Sequence, residues 1–290
     1  MPELPEVETA MRGLRTAIEG HVITRAIVAR HDLRWAIPED FAPRVVGKRV
    51  LDLRRRGKYI LIRLSDDLTV LLHLGMSGRV FIARPEAREG VASGSRRETA
   101  RAHEHVTFFM DDDTRVGMID PRRFGAVLLL TTSEENSHPL IAALGVEPLD
   151  AAFLKFPLGK FAERRRAPVK NLLLDQKVIA GLGNIYVCEA LHRAEIHPAR
   201  EAGSLTPAEW RRLMPVIQDV LIEAVNSGGS SLRDYAQPGG EKGGFQDFHR
   251  VYGREGRGCA DCPGPPTCGG VERIVQAGRS TFLCPMRQPL

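Results

Sequence analysis

The last 32 residues hold four of the chain's five cysteines, spaced Cys259-x2-Cys262-x5-Cys268-x15-Cys284. A C-x2-C knuckle puts two thiolates on one tight turn, which suits one edge of a tetrahedral metal site. A second C-x2-C would be the usual partner, but the chain reads Cys284-Pro285-Met286-Arg287. Arginine stays protonated and cannot ligate a metal. Cys268 is therefore the expected fourth thiolate beside Cys259, Cys262 and Cys284. One structural Zn2+ is the group such a set would hold, and the alternative is a tail of unligated thiols. An odd cysteine count, with no secretory signal at the start, argues against a disulfide framework.

The other end of the chain offers a different chemistry. Pro2 follows Met1, and removal of that methionine would expose a secondary amine. An α-amine has a reference pKa of about 8, so an appreciable fraction is free base near neutrality. A free amine can attack an electrophilic carbon and form a Schiff base. Glu3 stands beside it, and Glu6 follows three residues on, near the same face of a helix. Such carboxyls can donate a proton and orient a neighbour. The plainer reading is a proline-started helix whose acidic first turn complements its dipole.

Basic and apolar residues recur together in between. Lys58 follows a turn glycine at the head of a strand, in RRRGKYILIRL. HLGMSG carries His73 and Met76, and DPRRFG carries Arg122, Arg123 and Phe124. Arg164 to Arg166 and Lys170 form another basic cluster. An arginine beside an exposed aromatic or methionine can wedge into a base stack and replace an extruded base. Otherwise these are solvated cations beside two core residues. Lys plus Arg is 41 against 36 Asp plus Glu, a net charge of +5. Only seven of those cations are lysine, and arginine forks onto phosphate or a guanine edge as lysine cannot. That balance permits a polyanionic partner without demanding one.

The elements that must position these groups are legible in the spacing. Val7, Met11, Leu14 and Ile18 recur at helical intervals before Gly20. From 22 to 130, short runs such as VITRAIVAR, RVLDLRRR, KYILIRL, LTVLLHL, RVFIA, HVTFFM and FGAVLLL alternate with turn signals, as in a β-sandwich or barrel. The charged stretch 84–102 reads as an exposed loop. Helices are expected over 139–144, 151–163, after the glycine turn at 181–183, and after the Thr206-Pro207 cap, the last kinked at Pro215. Residues 230–244 read as a glycine-rich loop. The fold class expected is α+β with several domains: a β domain at 1–132, a linker at 133–150, a helical domain at 151–249 and a Cys-rich hairpin at 250–290. No apolar run approaches the ~20 residues of a membrane span, so a membrane partner is excluded and a cytoplasmic protein is expected.

Taken in order, MPELPEVE, RRGKYI, HLGMSGR, HEHV, DPRRFG, VIAGLGNIYVCEAL, NSGGSSLRDY, VYGREG-x2-C-x2-C and GRSTFLC resemble the formamidopyrimidine-DNA glycosylase family over essentially the whole chain. The resemblance implies an N-terminal helix with a β-sandwich, a helix–two-turn–helix domain and a zinc-finger hairpin. It implies a base-excision enzyme that removes oxidised purines and cleaves the abasic site by β,δ-elimination. Pro2 would be the nucleophile at C1′, Glu3 the acid and Glu6 its support. Lys58 would act in elimination, and Arg279 would grip phosphate from the hairpin. Met76, Arg122 and Phe124 would fill the gap left by the flipped nucleotide. His73, His103, Arg165, Lys170 and Asn184 would contact DNA, and the loop 230–245 would close over the lesion. The implied partner is duplex DNA with a damaged base, bound by a monomer near the nucleoid. Leu4 stands where the endonuclease VIII branch usually has glycine, which favours purine lesions over oxidised pyrimidines. A non-catalytic lesion-binding protein is the third reading, opposed by the intact Pro2, Glu3 and Lys58. Arg287 and the lengthening PGPPTC depart from the family pattern.

Overall fold

The computed structural model describes residues 1–85, 101–231 and 237–290. The loop expected at 84–102 thus falls mostly outside the described residues, as does the middle of the loop expected at 230–245. The chain divides into two compact units. The first comprises Met1–Pro2, Glu6–Ile141 and Ser230–Gly243, and the second Glu3–Pro5, Ala142–Gly229 and Gly244–Leu290.

Helix α1 (Leu4–Ile18) has Glu6 in its first turn and Arg15 in its last, the order that suits a helix dipole. Its Val7, Ala10, Met11, Leu14, Ala17 and Ile18 are buried, the helical spacing read from the sequence. The first unit continues through β1 (Ile23–Val28), α2 (Phe41–Val45), β2 (Val50–Arg56), β3 (Tyr59–Leu64), β4 (Leu68–His73), β5 (Arg79–Ala83), β6 (Glu104–Met110), β7 (Arg115–Ile119) and β8 (Ala126–Thr131). The strands form two four-stranded sheets, ordered β1-β6-β7-β5 and β2-β3-β4-β8. Every pairing in them is antiparallel. One core joins the sheets, with Ile62, Val70 and Leu72 from one and Val80, Val106 and Met118 from the other. This is a β-sandwich. Strand β7 was not among the expected runs. Its RVGMI is short and carries a glycine where Phe81 packs close, so it lacks a strong strand signature.

The second unit follows α3 (Pro139–Ala142) with α4 (Leu158–Ala162), α5 (Val169–Leu174), α6 (Asn184–Arg193), α7 (Pro207–Asn226), β9 (Glu272–Gln276) and β10 (Arg279–Leu283). The helix expected over 151–163 is broken. A short 3-10 turn, Phe153–Lys155, ends at an extended Phe156 before Pro157, because a residue preceding proline is driven out of helical backbone. α7 opens on a full capping box, with Thr206 accepting from Glu209 N–H and Glu209 reaching back. It runs through Pro215 as one 20-residue helix. Tyr186, Phe153, Phe245, Leu213 and Leu221 share its core. The β9–β10 hairpin turns on Ala277 and Gly278, both at positive φ (47° and 73°), the form that follows strand twist. No helix among the described residues is long and apolar enough to cross a membrane.

Candidate active site and metal centre

Glu3 is 3% exposed, and its Oε1 accepts a hydrogen bond of 3.1 Å from the Ile185 N–H. That amide lies in the first turn of α6, where a carboxylate suits the unsatisfied donors and the dipole. Gly183 leaves room for it: a Cβ there would stand 2.2 Å from Glu3 Cδ. Gly181, at φ +82°, does the same for Leu4, whose N–H donates to the Gly181 carbonyl at 3.1 Å. The Gly-Leu-Gly-Asn turn is thus shaped around the two residues that follow Pro2. Gly181, Leu182 and Gly183 are buried, the Gly181 N–H is held by Gln176, and that of Ile185 by Glu3. In the first unit Pro2 is buried, and Glu6 accepts the Ser230 N–H at 2.7 Å.

Lys58 closes the two-residue turn between β2 and β3, after Gly57 at φ +56°. Its ammonium acts on His73. Burial, then the Lys58 and Arg34 charges, push the His73 imidazole down to about 4. His73 is therefore neutral at physiological pH. Its Nδ1 accepts the Gly75 N–H at 3.0 Å, and its ring lies 4.8 Å from that of Tyr59. The structure gives His73 a scaffolding place beside Lys58.

Two adjacent loops carry the apolar residues that the sequence singled out. Met76 is 43% and Phe124 42% exposed, so neither is a core residue. The Arg122 guanidinium lies 4.9 Å from the Phe124 ring centroid. The loops meet backbone to backbone at Gly75, where a Cβ would stand 2.4 Å from the Phe124 carbonyl carbon. Asp120, wholly buried, ties them together. It accepts from Ser77 Oγ at 2.7 Å, the Gly125 N–H at 2.7 Å and the Arg122 N–H at 3.3 Å, while its own N–H donates to His103. His103 itself is exposed at φ +62°. Sequence reasoning quoted DPRRFG but passed over Asp120. An aspartate before proline at a strand end was the available signal.

In the second unit, Lys170 and Asn184 meet at β10. The buried Lys170 ammonium donates to Thr281 Oγ1 at 2.6 Å and the Ser280 carbonyl at 3.3 Å. Burial, and then the Arg279 charge, lower its pKa. Asn184 donates to the same Ser280 carbonyl at 2.9 Å. Arg279, next in the chain, is exposed at the hairpin turn. Arg165 is exposed and stacks on Phe161 at 4.6 Å. Glu189, a residue the sequence did not flag, is fully buried in α6. Its two oxygens accept the N–H groups of Arg250, Val251 and Tyr252 at 2.8–3.0 Å, which suspends the hairpin's lead-in from the helix.

The cysteines of the tail converge. The sulfurs of Cys259, Cys262 and Cys284 lie within 4.8 Å of one another, and Cys268 Sγ is 3.7 Å from that of Cys284. Four thiols on short loops fit a metal ion that prefers soft ligands. His192 of α6 places Nε2 3.3 Å from Cys259 Sγ. Arg287, at the position of the missing ligand, pairs with Glu195 instead. Cys188 is a different kind of thiol, buried in α6 and pushed up to about 11 by that burial.

Residues 1–127 match the formamidopyrimidine-DNA glycosylase N-terminal domain, and residues 144–236 match the H2TH domain of the same enzymes. A formamidopyrimidine-DNA glycosylase of Gluconobacter oxydans is 53% identical over 99% of this chain and 100% of its own length. This chain belongs to the formamidopyrimidine-DNA glycosylase family. An Acidiphilium cryptum member is 50% identical, again over 99% of this chain and 100% of its own. Among solved family structures, MutM (Fpg) of Thermus thermophilus superimposes with a TM-score of 0.82 at 39% identity, covering 99% of this chain and 98% of that one. Lactococcus lactis Fpg in complex with DNA containing an abasic site gives 0.84 at 31% identity, covering 99% and 100%. A mutant of that enzyme with DNA containing Fapy-dG gives 0.85 at 31% identity, covering all of both chains.

Proposed function

We propose that the chain removes oxidised purines, 8-oxoguanine and formamidopyrimidines, from duplex DNA and then cleaves the strand at the abasic site. The observation that carries this reading is the Glu3 carboxyl, seated on Gly183 and the Ile185 N–H, one residue after Pro2. With Met1 removed, the Pro2 nitrogen attacks C1′, the bond to the base breaks, and an imine forms on the proline. Glu3 supplies the proton that sugar opening and base loss require. The imine acidifies the C2′ hydrogen. Its loss expels the 3′ phosphate, and a second elimination expels the 5′ phosphate. Lys58 assists elimination and contacts phosphate. Glu6, bonded to Ser230, links the start of α1 to the loop that covers the lesion.

C1′ is inaccessible inside a duplex, so the nucleotide must be extruded at a cost of a few kcal/mol. Met76, Arg122 and Phe124 offset that cost by filling the vacated stack. His73, His103, Arg165, Lys170, Asn184 and Arg279 make up the set read as DNA contacts. Their direct bonds differ: Lys170 and Asn184 hold the hairpin, and Arg279 and Arg165 are exposed. The metal is zinc, held by Cys259, Cys262, Cys268 and Cys284. A closed four-thiolate site serves structure, fixing the hairpin that carries Arg279.

Borohydride reduction on a duplex with 8-oxoguanine opposite cytosine tests the reading. The expected product is a DNA adduct that peptide mapping assigns to Pro2. An adduct on a lysine overturns the assignment of the nucleophile. Thymine glycol serves as the comparison, and its preferential trapping would move the chain toward oxidised pyrimidines. Failure of both lesions, with tight binding to either, would leave a lesion-binding protein.

A further inference from the structure

Beneath the Lys58 turn lies a buried ion pair that the chemistry above does not use. Arg55 precedes that turn on β2, and its side chain is 6% exposed. Its Nε donates to Glu8 Oε2 at 2.7 Å, and its Nη1 donates to the Gly57 carbonyl at 3.0 Å. Glu8, on α1, is 11% exposed and takes a second bond from Arg12 at 2.8 Å. Burial opposes ionisation of Glu8, but Arg55 and Arg12 outweigh it and hold the carboxyl below its ordinary range.

A buried pair of this kind is a poor source of stability, because desolvation offsets most of its attraction, and apolar residues of similar size often serve as well. Its geometry points to another use. The guanidinium is a rigid fork with donors in fixed directions. One arm is fixed to a helix and the other to the peptide carbonyl that joins Gly57 to Lys58. That peptide sets where the Lys58 Cα stands. Gly57 at φ +56° is the one residue in the turn with wide backbone freedom, so it is the place where the turn could drift. Lysine could not replace the fork, since a single ammonium lacks two donors in a plane.

We infer that Arg55, locked in place by Glu8, is a positioning residue that fixes the Gly57–Lys58 turn for the elimination steps. The inference rests on the reading that Lys58 acts in those steps. The decisive experiment is a double-mutant cycle on DNA with a preformed abasic site. Arg55→Lys and Glu8→Gln are each measured in the wild-type and Lys58→Ala backgrounds, with thermal melting of every variant. Each single substitution should lower kcat for strand cleavage by about ten- to a hundredfold, the scale of a misplacement near 1 Å. KM should hold. In the Lys58→Ala background the same substitution should add less than about twofold. Equal losses in both backgrounds, or a rise in KM with kcat unchanged, would overturn the inference. So would unaltered cleavage by a folded Arg55→Lys and Glu8→Gln. Wild-type cleavage by Lys58→Ala alone overturns the reading of Lys58 itself, and the inference with it.

Discussion

Adding one methyl at Gly183 should displace the Glu3 carboxyl without altering that residue's chemistry. The backbone there is extended, at φ −134° and ψ −170°, so alanine is conformationally permitted. The obstacle is contact: the new Cβ would stand 2.2 Å from Glu3 Cδ and 2.4 Å from Oε2. Ordinary contact begins near 3.4 Å, so the carboxyl or the turn must retreat by about 1.2 Å. The 3.1 Å bond from the Ile185 N–H cannot survive such a shift in Glu3. A displacement of this size at a catalytic group costs on the order of a hundredfold in rate. Overpacking should cost the fold about 1–3 kcal/mol, which leaves a domain of this size folded at 25 °C. Single-turnover excision of 8-oxoguanine by Gly183→Ala should fall by that hundredfold. Cleavage at a preformed abasic site should fall much less, since its base is already gone. Wild-type excision by the folded variant refutes the placement of the acid, and equal losses on the two substrates refute its assignment to base release.

Phe124→Ala removes a ring that is already 42% exposed, so melting should barely change. Excision from duplex DNA should drop by about tenfold or more, the scale of one lost base-stacking contact, while reaction with a single-stranded abasic site holds; equal losses on both would mean a core role. Wild-type protein and Cys188→Ser should each carry about one zinc per chain, and Cys268→Ser should carry little, by metal analysis. Retention of zinc by Cys268→Ser would remove Cys268 from the ligand set. Hydrogen bonds from Arg200 lead the causes that hold Glu209 down to about 2, against an ordinary value of 4.5. The stability this pair contributes is present above pH 4.5 and lost as pH falls toward 2. Arg200→Met should therefore lower the melting temperature at pH 7 and scarcely change it at pH 2; an equal drop at both would refute the linkage.

The residues legible in the sequence were those whose meaning is local. The helix of α1, the Thr206 cap, the strand runs and the cysteine spacing each follow from neighbours a few positions apart. The exposure of Met76 and Phe124 could be posed from sequence only as one of two readings. Asp120, Gly183 and Glu189 were invisible for the opposite reason. Asp120 acts through Ser77, 43 residues away, and Glu189 through amides more than 60 residues on. Gly183 matters because Glu3 returns to it across 180 positions. The break at Pro157 was a local signal overlooked, since apolar spacing on either side suggested one helix. β7 gave too few β-branched residues to stand out against its neighbours.

Helix α6 has only ten residues, and most of its length is spoken for. Its first turn receives the Glu3 carboxyl and, through Asn184, the Ser280 carbonyl. Its middle holds residues 250–252 through Glu189, its end meets Cys259 through His192, and Ile196 just beyond accepts from Gln288. A single rod thus serves as the common datum for the Glu3 carboxyl and for the hairpin. A change that slides or rotates it should degrade base release and DNA grip in proportion, as one correlated defect. The Met76 and Phe124 loops are organised instead by Asp120, through Ser77 and the Gly125 and Arg122 N–H groups, so their defects should separate. Natural variation along α6 should accordingly be tuned as a block.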